Sequence, residues 1–190
     1  ILFCSSNAVK EQHLKRRFAY STASNLSYIL FGFLLMTPMG MIGGLTHMVF
    51  HGIMKISLFF AVGAIMHQTG KHYIYEIAGL AKKMPVVFGC MSVAGIALIG
   101  IPPLTGFISK WNIATAAVDA YQKGNRLAPY LILILVLSAF LTAIYIFTIL
   151  GKAYLVEPTD DDGKTNCDPG WQMKVPMVLF AILIVVFGLY

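Results

Sequence analysis

Charge is scarce in this sequence. Of its 190 residues only 12% are Asp, Glu, Lys or Arg, whereas a soluble domain carries roughly a quarter. With 58% hydrophobic residues and a mean hydropathy of +0.76, the chain lacks the polar residues to cover a water-facing surface, and no stretch is left over for a separate soluble domain. Cysteine is scarce too. Cys4, Cys90 and Cys167 are odd in number, scattered, and form no CxxC, which excludes a disulfide framework and the usual metal spacings. Cys90 sits in an apolar run and reads as a small core residue. No internal repeat and no low-complexity tract is visible. The sequence opens at Ile1 without an initiator methionine or signal peptide and stops at Tyr190 inside an apolar run. The expectation is a piece of a larger membrane protein.

What is present is a series of long apolar runs separated by short polar loops, the pattern of a polytopic α-helical membrane protein. The fold class expected is all-α: a transmembrane helix bundle of about five spans plus a partial one. Residues 1–9 read as the tail of one span. Residues 18–37 form the next, rich in hydroxyls and amides in its first half (Tyr20, Ser21, Thr22, Ser24, Asn25, Ser27, Tyr28) and ended by Pro38 and Gly40. A helix over about 41–68 follows, then a polar loop closed by Pro85. Residues 86–122 are too long for one straight span. They are broken at GIPPLTG, where Pro102 and Pro103 remove two backbone donors and Gly100 and Gly106 loosen the chain on either side. A span over about 128–150, an acidic solvent-exposed loop over 151–174 and a last span from about Val175 complete the expected single domain.

The formal net charge of +6 does not point to nucleic acid, because the basic residues lie in the loops. Counted as a topology signal, one side receives Lys10, Lys15, Arg16, Arg17, Lys71, Lys82, Lys83, Lys152, Lys164 and Lys174, and the other only Lys123 and Arg126. Ten against two places the first set in the cytoplasm, provided the broken helix crosses once. The membrane expected is a prokaryotic plasma membrane.

The stretch HMVFHGIMK holds three ionisable side chains inside an apolar run. His47, His51 and Lys55 stand four residues apart, so each step along a helix advances about 6 Å and turns about 40°, giving one slanting stripe. One reading has Lys55 snorkelling to the interface and the histidines satisfied in a core. Lys55 lies near the middle of its span, however, and a four-methylene stem reaches only about 6 Å. The other reading is a proton relay: desolvation penalises an ammonium, so a buried lysine exchanges protons more readily, and imidazole titrates near neutrality unaided. A zincin needs Glu directly after the first His, where this chain has Met48, and a haem needs facing histidines that the other spans do not offer. No metal and no cofactor is expected.

Lys110 follows the break, and unwound backbone at membrane depth is tolerated only inside protein or beside a wet cavity. The competing reading is a proline kink with Lys110 near an interface. Lys15 fits either the positive-inside loop or a proton entrance. His13, His67 and His72 are placed at interfaces without a role, and Asp119 reads as a helix-end surface carboxylate.

Three stretches, LKRRFAYSTASNLSYI, HMVFHGIMKISLFFAVGAI and GLAKKMPVVFGCMSVAGIALIGIPPLTGFISKW, together resemble the antiporter-like membrane subunits of respiratory complex I. The same superfamily includes the large subunits of Mrp-type sodium/proton antiporters and relatives in membrane-bound hydrogenases. The likeness covers roughly residues 10–122, in order. It implies two inverted repeats, each with a broken helix, of which this chain would be most of the second. Lys55 then takes the place of the central lysine, His47 and His51 fall on the hydrophilic axis, Lys110 matches the lysine of the second broken helix, and Lys15 the lysine of the LKR stretch. The glutamate–lysine pair of the first repeat is absent from this chain, and the tryptophan of SKW leans toward the hydrogenase and Mrp branches.

The function expected is therefore a proton-translocating, antiporter-like subunit of a redox-driven ion pump, itself without a redox cofactor. The alternative is the large subunit of an Mrp-type sodium/proton antiporter. Its expected partners are other membrane subunits of a multisubunit complex, protons, the lipid bilayer and, as an open point, sodium. A haem-bearing electron carrier is a third reading, which predicts a Soret band.

Overall fold

A computed structural model describes residues 1–157 and 168–189. Among the described residues eight helices follow in order: α1 (Leu2–Lys10), α2 (Leu14–Leu34), α3 (Pro38–Thr69), the single turn α4 (Leu80–Lys83), α5 (Pro85–Ile99), α6 (Thr105–Gln122), α7 (Ala128–Leu155) and α8 (Trp171–Leu189). By length and composition α3, α7 and α8 can each cross a membrane. The centre of the expected acidic loop, residues 158–167, lies outside the described residues; α7 continues through Leu155, and α8 already begins at Trp171, where Lys174 pairs with Asp168 at 3.5 Å.

The longest helix, α3, is the central post, packed against α2, α5, α6 and α8. Pro38 opens it rather than ending the span before it. A proline at the first helical position loses no helical hydrogen bond, and the Thr37 hydroxyl caps the end by accepting from the Gly40 N–H at 3.0 Å.

The helix expected over 86–122 is interrupted as its prolines require. Its first half, α5, stops at Ile99, and Gly100 turns the chain at φ +95°, a conformation costly for any residue with a Cβ. The second half restarts at Thr105. Ile101, Pro102 and Pro103 between them are exposed in this chain.

The exterior is apolar, unlike that of a soluble protein. Outward positions on α7 carry Tyr130, Leu133, Val136, Phe140 and Phe147, and those on α8 carry Leu179, Ile182 and Val186. The interior holds Arg17, Ser21, Asn25, His47, His51, Lys55, Thr105, Ser109 and Ser138, each at most 5% exposed. An apolar exterior around a mainly apolar interior that also gathers the polar and ionisable side chains suits hydrocarbon as the solvent, where intramembrane ionisable groups face the bundle interior.

Candidate functional site

The three ionisable residues of the opening stripe all point inward. His47 is 0% exposed and His51 and Lys55 are each 5% exposed, so Lys55 does not snorkel. Its ammonium donates to the Phe18 carbonyl at 3.1 Å and to the Ser21 hydroxyl at 2.7 Å, both on α2, and lies 5.4 Å from the centre of the Phe18 ring. Such a cation–π contact strengthens when desolvated. Four residues back along α3, the imidazole of His51 stacks on that of His47 with ring centres 5.9 Å apart. His47 Nδ1 hydrogen-bonds the Ser109 hydroxyl of α6 at 2.9 Å. Nε2 of both histidines is buried without a protein partner.

Lys110 lies one turn into α6 and reaches back across the break. Its amine donates to the carbonyls of Leu98 and Ile99 at 2.8 and 3.0 Å. These belong to the last turn of α5, whose carbonyls have no intrahelical donor and carry the negative end of the helix dipole. The break thus builds a cation cradle. The Tyr28 ring of α2 closes the line, 5.4 Å from the Lys110 amine and 5.6 Å from the His47 ring. His51, His47, Tyr28 and Lys110 thus follow one another at 5.4–5.9 Å, and Lys55 stands one helical turn beyond His51 on α3.

The close approach that makes this possible is at Gly106. A Cβ there would lie 1.8 Å from the Ala97 carbonyl oxygen. Glycine lets α6 lie directly on α5 and brings Lys110 within reach of the cradle.

Lys15 is not part of this line. It is exposed in the first turn of α2, beside a cavity it shares with Phe59, Phe60 and Met66. Arg17, counted as a loop charge in the topology tally, is instead buried at 1% exposure. Its guanidinium donates to the carbonyls of Val9 at 2.9 Å, Glu11 at 2.8 Å and Tyr145 at 3.2 Å. It caps the C-terminal end of α1 and ties that end to α7, a role available to a planar fork of donors and not to a point charge. The sequence reading also missed Tyr145 of α7, which meets the Ser21 hydroxyl at 2.5 Å, and a trio of serines: Ser5 lies 2.7 Å from both Ser24 and Ser138. The hydroxyl-rich half of α2 signalled them, but their partners on α1 and α7 are far away in sequence. Among the described residues no group of three or more His, Cys, Asp or Glu is placed to hold a metal ion.

A multi-pass α-helical membrane protein with one interrupted helix and a cluster of lysine and histidine side chains beside the interruption is the class these features define. Residues 1–142 match the family described as NADH:quinone oxidoreductase/Mrp antiporter, TM, and the chain belongs to that family. It is 32% identical, over its whole length, to NADH-quinone oxidoreductase subunit N of Desulforudis audaxviator, covering 39% of that protein. Among solved structures, the Mrp complex from Dietzia sp. superposes with a TM-score of 0.87 at 26% identity, over 99% of this chain and 42% of the other. The membrane-bound sulfane sulfur reductase, an archaeal respiratory membrane complex, gives 0.79 at 31% identity, over 98% and 30%. The chain thus spans about two-fifths, or less, of the relatives it matches.

Proposed function

We propose that this chain is part of a proton-translocating, antiporter-like subunit of a redox-driven ion pump, of the complex I or energy-converting hydrogenase type, in a prokaryotic plasma membrane. The observation that carries the reading is the Lys110 amine in its carbonyl cradle, joined through Tyr28 and His47 to the helix that holds Lys55. Two amines, Lys55 buried and Lys110 half-buried, each held mainly by neutral oxygens, repel each other through a low-dielectric interior, so a proton gained by one favours its loss from the other. His51 and His47 span the gap between them, and their unpartnered Nε2 atoms are sites where protons enter or leave the imidazoles. Lys110 releases the proton beyond the break, and Lys15, exposed at the head of α2, stands at the entrance. Charge movement in neighbouring subunits of the complex drives the cycle, and no redox cofactor is assigned to this chain.

The likeness to the Mrp complex favours a second reading, a large subunit of an Mrp-type sodium/proton antiporter without redox coupling. Everted vesicles bearing the full-length subunit in its complex separate the two. Acidification on adding an electron donor, insensitive to a sodium ionophore, supports the pump. Proton movement on a sodium pulse with no donor overturns it in favour of the antiporter.

A further inference from the structure

The proton line does not use the hydroxyls on the other side of Lys55. Ser21 sits between the Lys55 amine, at 2.7 Å, and the Tyr145 hydroxyl, at 2.5 Å. Thr142 stands three residues before Tyr145 on α7, and its hydroxyl donates to the Ser138 carbonyl at 2.8 Å. The side chains of Ser21, Tyr145, Thr142 and Ser138 are each at most 2% exposed. We infer that Ser21 and Tyr145 are positioning residues that hold the charge of Lys55, with their two hydroxyl protons reversing direction each time Lys55 gains or loses its proton. The inference rests on the proposed function.

The donor count dictates the two states. A charged Lys55 has only donors, so Ser21 accepts from it and turns its single proton to Tyr145. Tyr145 accepts it and turns its own proton away from Ser21, toward the Thr142 side of α7, where the Thr142 hydroxyl is committed to the Ser138 carbonyl. Every dipole in this state points its negative end toward the ammonium. A neutral Lys55 offers a lone pair, which takes the Ser21 proton, and Ser21 takes that of Tyr145. Because the last acceptor is a carbonyl with no proton to pass on, the arm is closed at its far end. It does not conduct; it stabilises charge, and linked hydrogen bonds of this kind polarise one another. The shared Tyr145 residue also fixes the geometry, since its own carbonyl is held by Arg17.

The titratable groups that act electrostatically on Lys55 are His51, one turn away on α3, and Lys110 on α6, and the helices packed on α3 also carry Arg17 and Tyr28 (α2), Cys90 (α5) and Lys174 (α8). None of these changes in the variants below, so a difference between them reports the arm.

Tyr145→Phe removes one oxygen and keeps the ring. It leaves the outward-pointing state without its second acceptor, which disfavours the ammonium relative to the amine. The expected result is an alkaline limb of proton transport displaced to lower pH by about half a unit to one unit, since one hydrogen bond is lost. Ser21→Ala should displace it in the same direction, and Ser21→Thr, which keeps the hydroxyl, should restore the wild-type limb. The assay is dye-reported acidification of everted vesicles carrying the full-length subunit in its complex, from pH 6 to 9, normalised to assembled complex on native gels. A purely structural role lowers transport equally at every pH, and this result from either assembled variant overturns the inference. An unmoved limb overturns it too, while leaving the proposed function intact as long as Lys55→Ala is silent. Should Tyr145→Phe fail to assemble, Ser21→Ala against Ser21→Thr decides by the same criteria. Full transport in Lys55→Ala removes the proposed function itself, and the inference with it.

Discussion

Replacing Gly106 by alanine tests the joint between α5 and α6 with a single methyl group. The added Cβ would stand 1.8 Å from the Ala97 carbonyl oxygen and 2.9 Å from its carbon. Real contacts stay beyond about 3.0 Å, so α6 must retreat by at least roughly 1.2 Å, the difference between 3.0 and 1.8. Both partners are backbone, and neither can swing aside as a side chain would. Overfilling a tight interior costs about 1–3 kcal/mol, and this site belongs at the upper end. Ser109 and Lys110 travel with α6, which stretches the 2.9 Å contact to His47 and the bonds of 2.8 and 3.0 Å to the cradle. Losing one such hydrogen bond adds about 1 kcal/mol or more. We expect Gly106→Ala in the full-length subunit to lower thermal stability of the detergent-solubilised complex and to cut proton transport at least about tenfold, in line with the sensitivity of positioned groups to 1 Å displacements. Gly63→Ala, where an added Cβ meets nothing within 4 Å, serves as the control and should be neutral or slightly stabilising. Gly106→Ala with wild-type stability and transport would refute the proposed contact between the half-helices.

Further outcomes follow from the same contacts. Arg17→Ala leaves three carbonyls without their charged donor and should destabilise the subunit by about 3 kcal/mol or more, measured by thermal unfolding in detergent; Arg17→Lys should recover only part of this, because one amine cannot span three acceptors. Lys15→Ala removes an exposed charge and should slow transport no more than a few-fold, against complete loss for a residue of the buried line. The Glu76 carboxylate is held below its ordinary value by the N–H groups of Tyr73 and His72, each 2.8 Å from Oε2. A depressed carboxylate stabilises while ionised, so this turn should be ordered at neutral pH and loosen as pH falls through the folded-state value. Amide exchange at Tyr73 and His72 measures it, and Glu76→Gln should abolish the pH dependence.

Local chemistry made much of this legible in the sequence. Pro102 and Pro103 cannot donate, so a break near residue 101 was required whatever surrounds it, and i, i+4 spacing put His47, His51 and Lys55 on one stripe before any coordinates. Burial of Lys55 followed from the length of apolar chain on both sides. Arg17 was misplaced for an equally physical reason. The rule that basic residues mark loops assumes that a charge has no internal acceptors, whereas α1 ends beside α2 and offers Val9 and Glu11 carbonyls. Pro38 was read as a stop because its role depends on Thr37 capping the next helix. Tyr145 stayed invisible because its partner, Ser21, is 124 residues away, and no periodicity joins them.

The most direct measurement of the central claim is the ratio of protons moved to driving turnovers in vesicles carrying Lys55→Ala in the full-length subunit. The account predicts an assembled complex in which the driving reaction continues and the proton yield attributable to this subunit falls to zero. A wild-type ratio would contradict it, because a path that works without the amine at residue 55 does not run along the buried line.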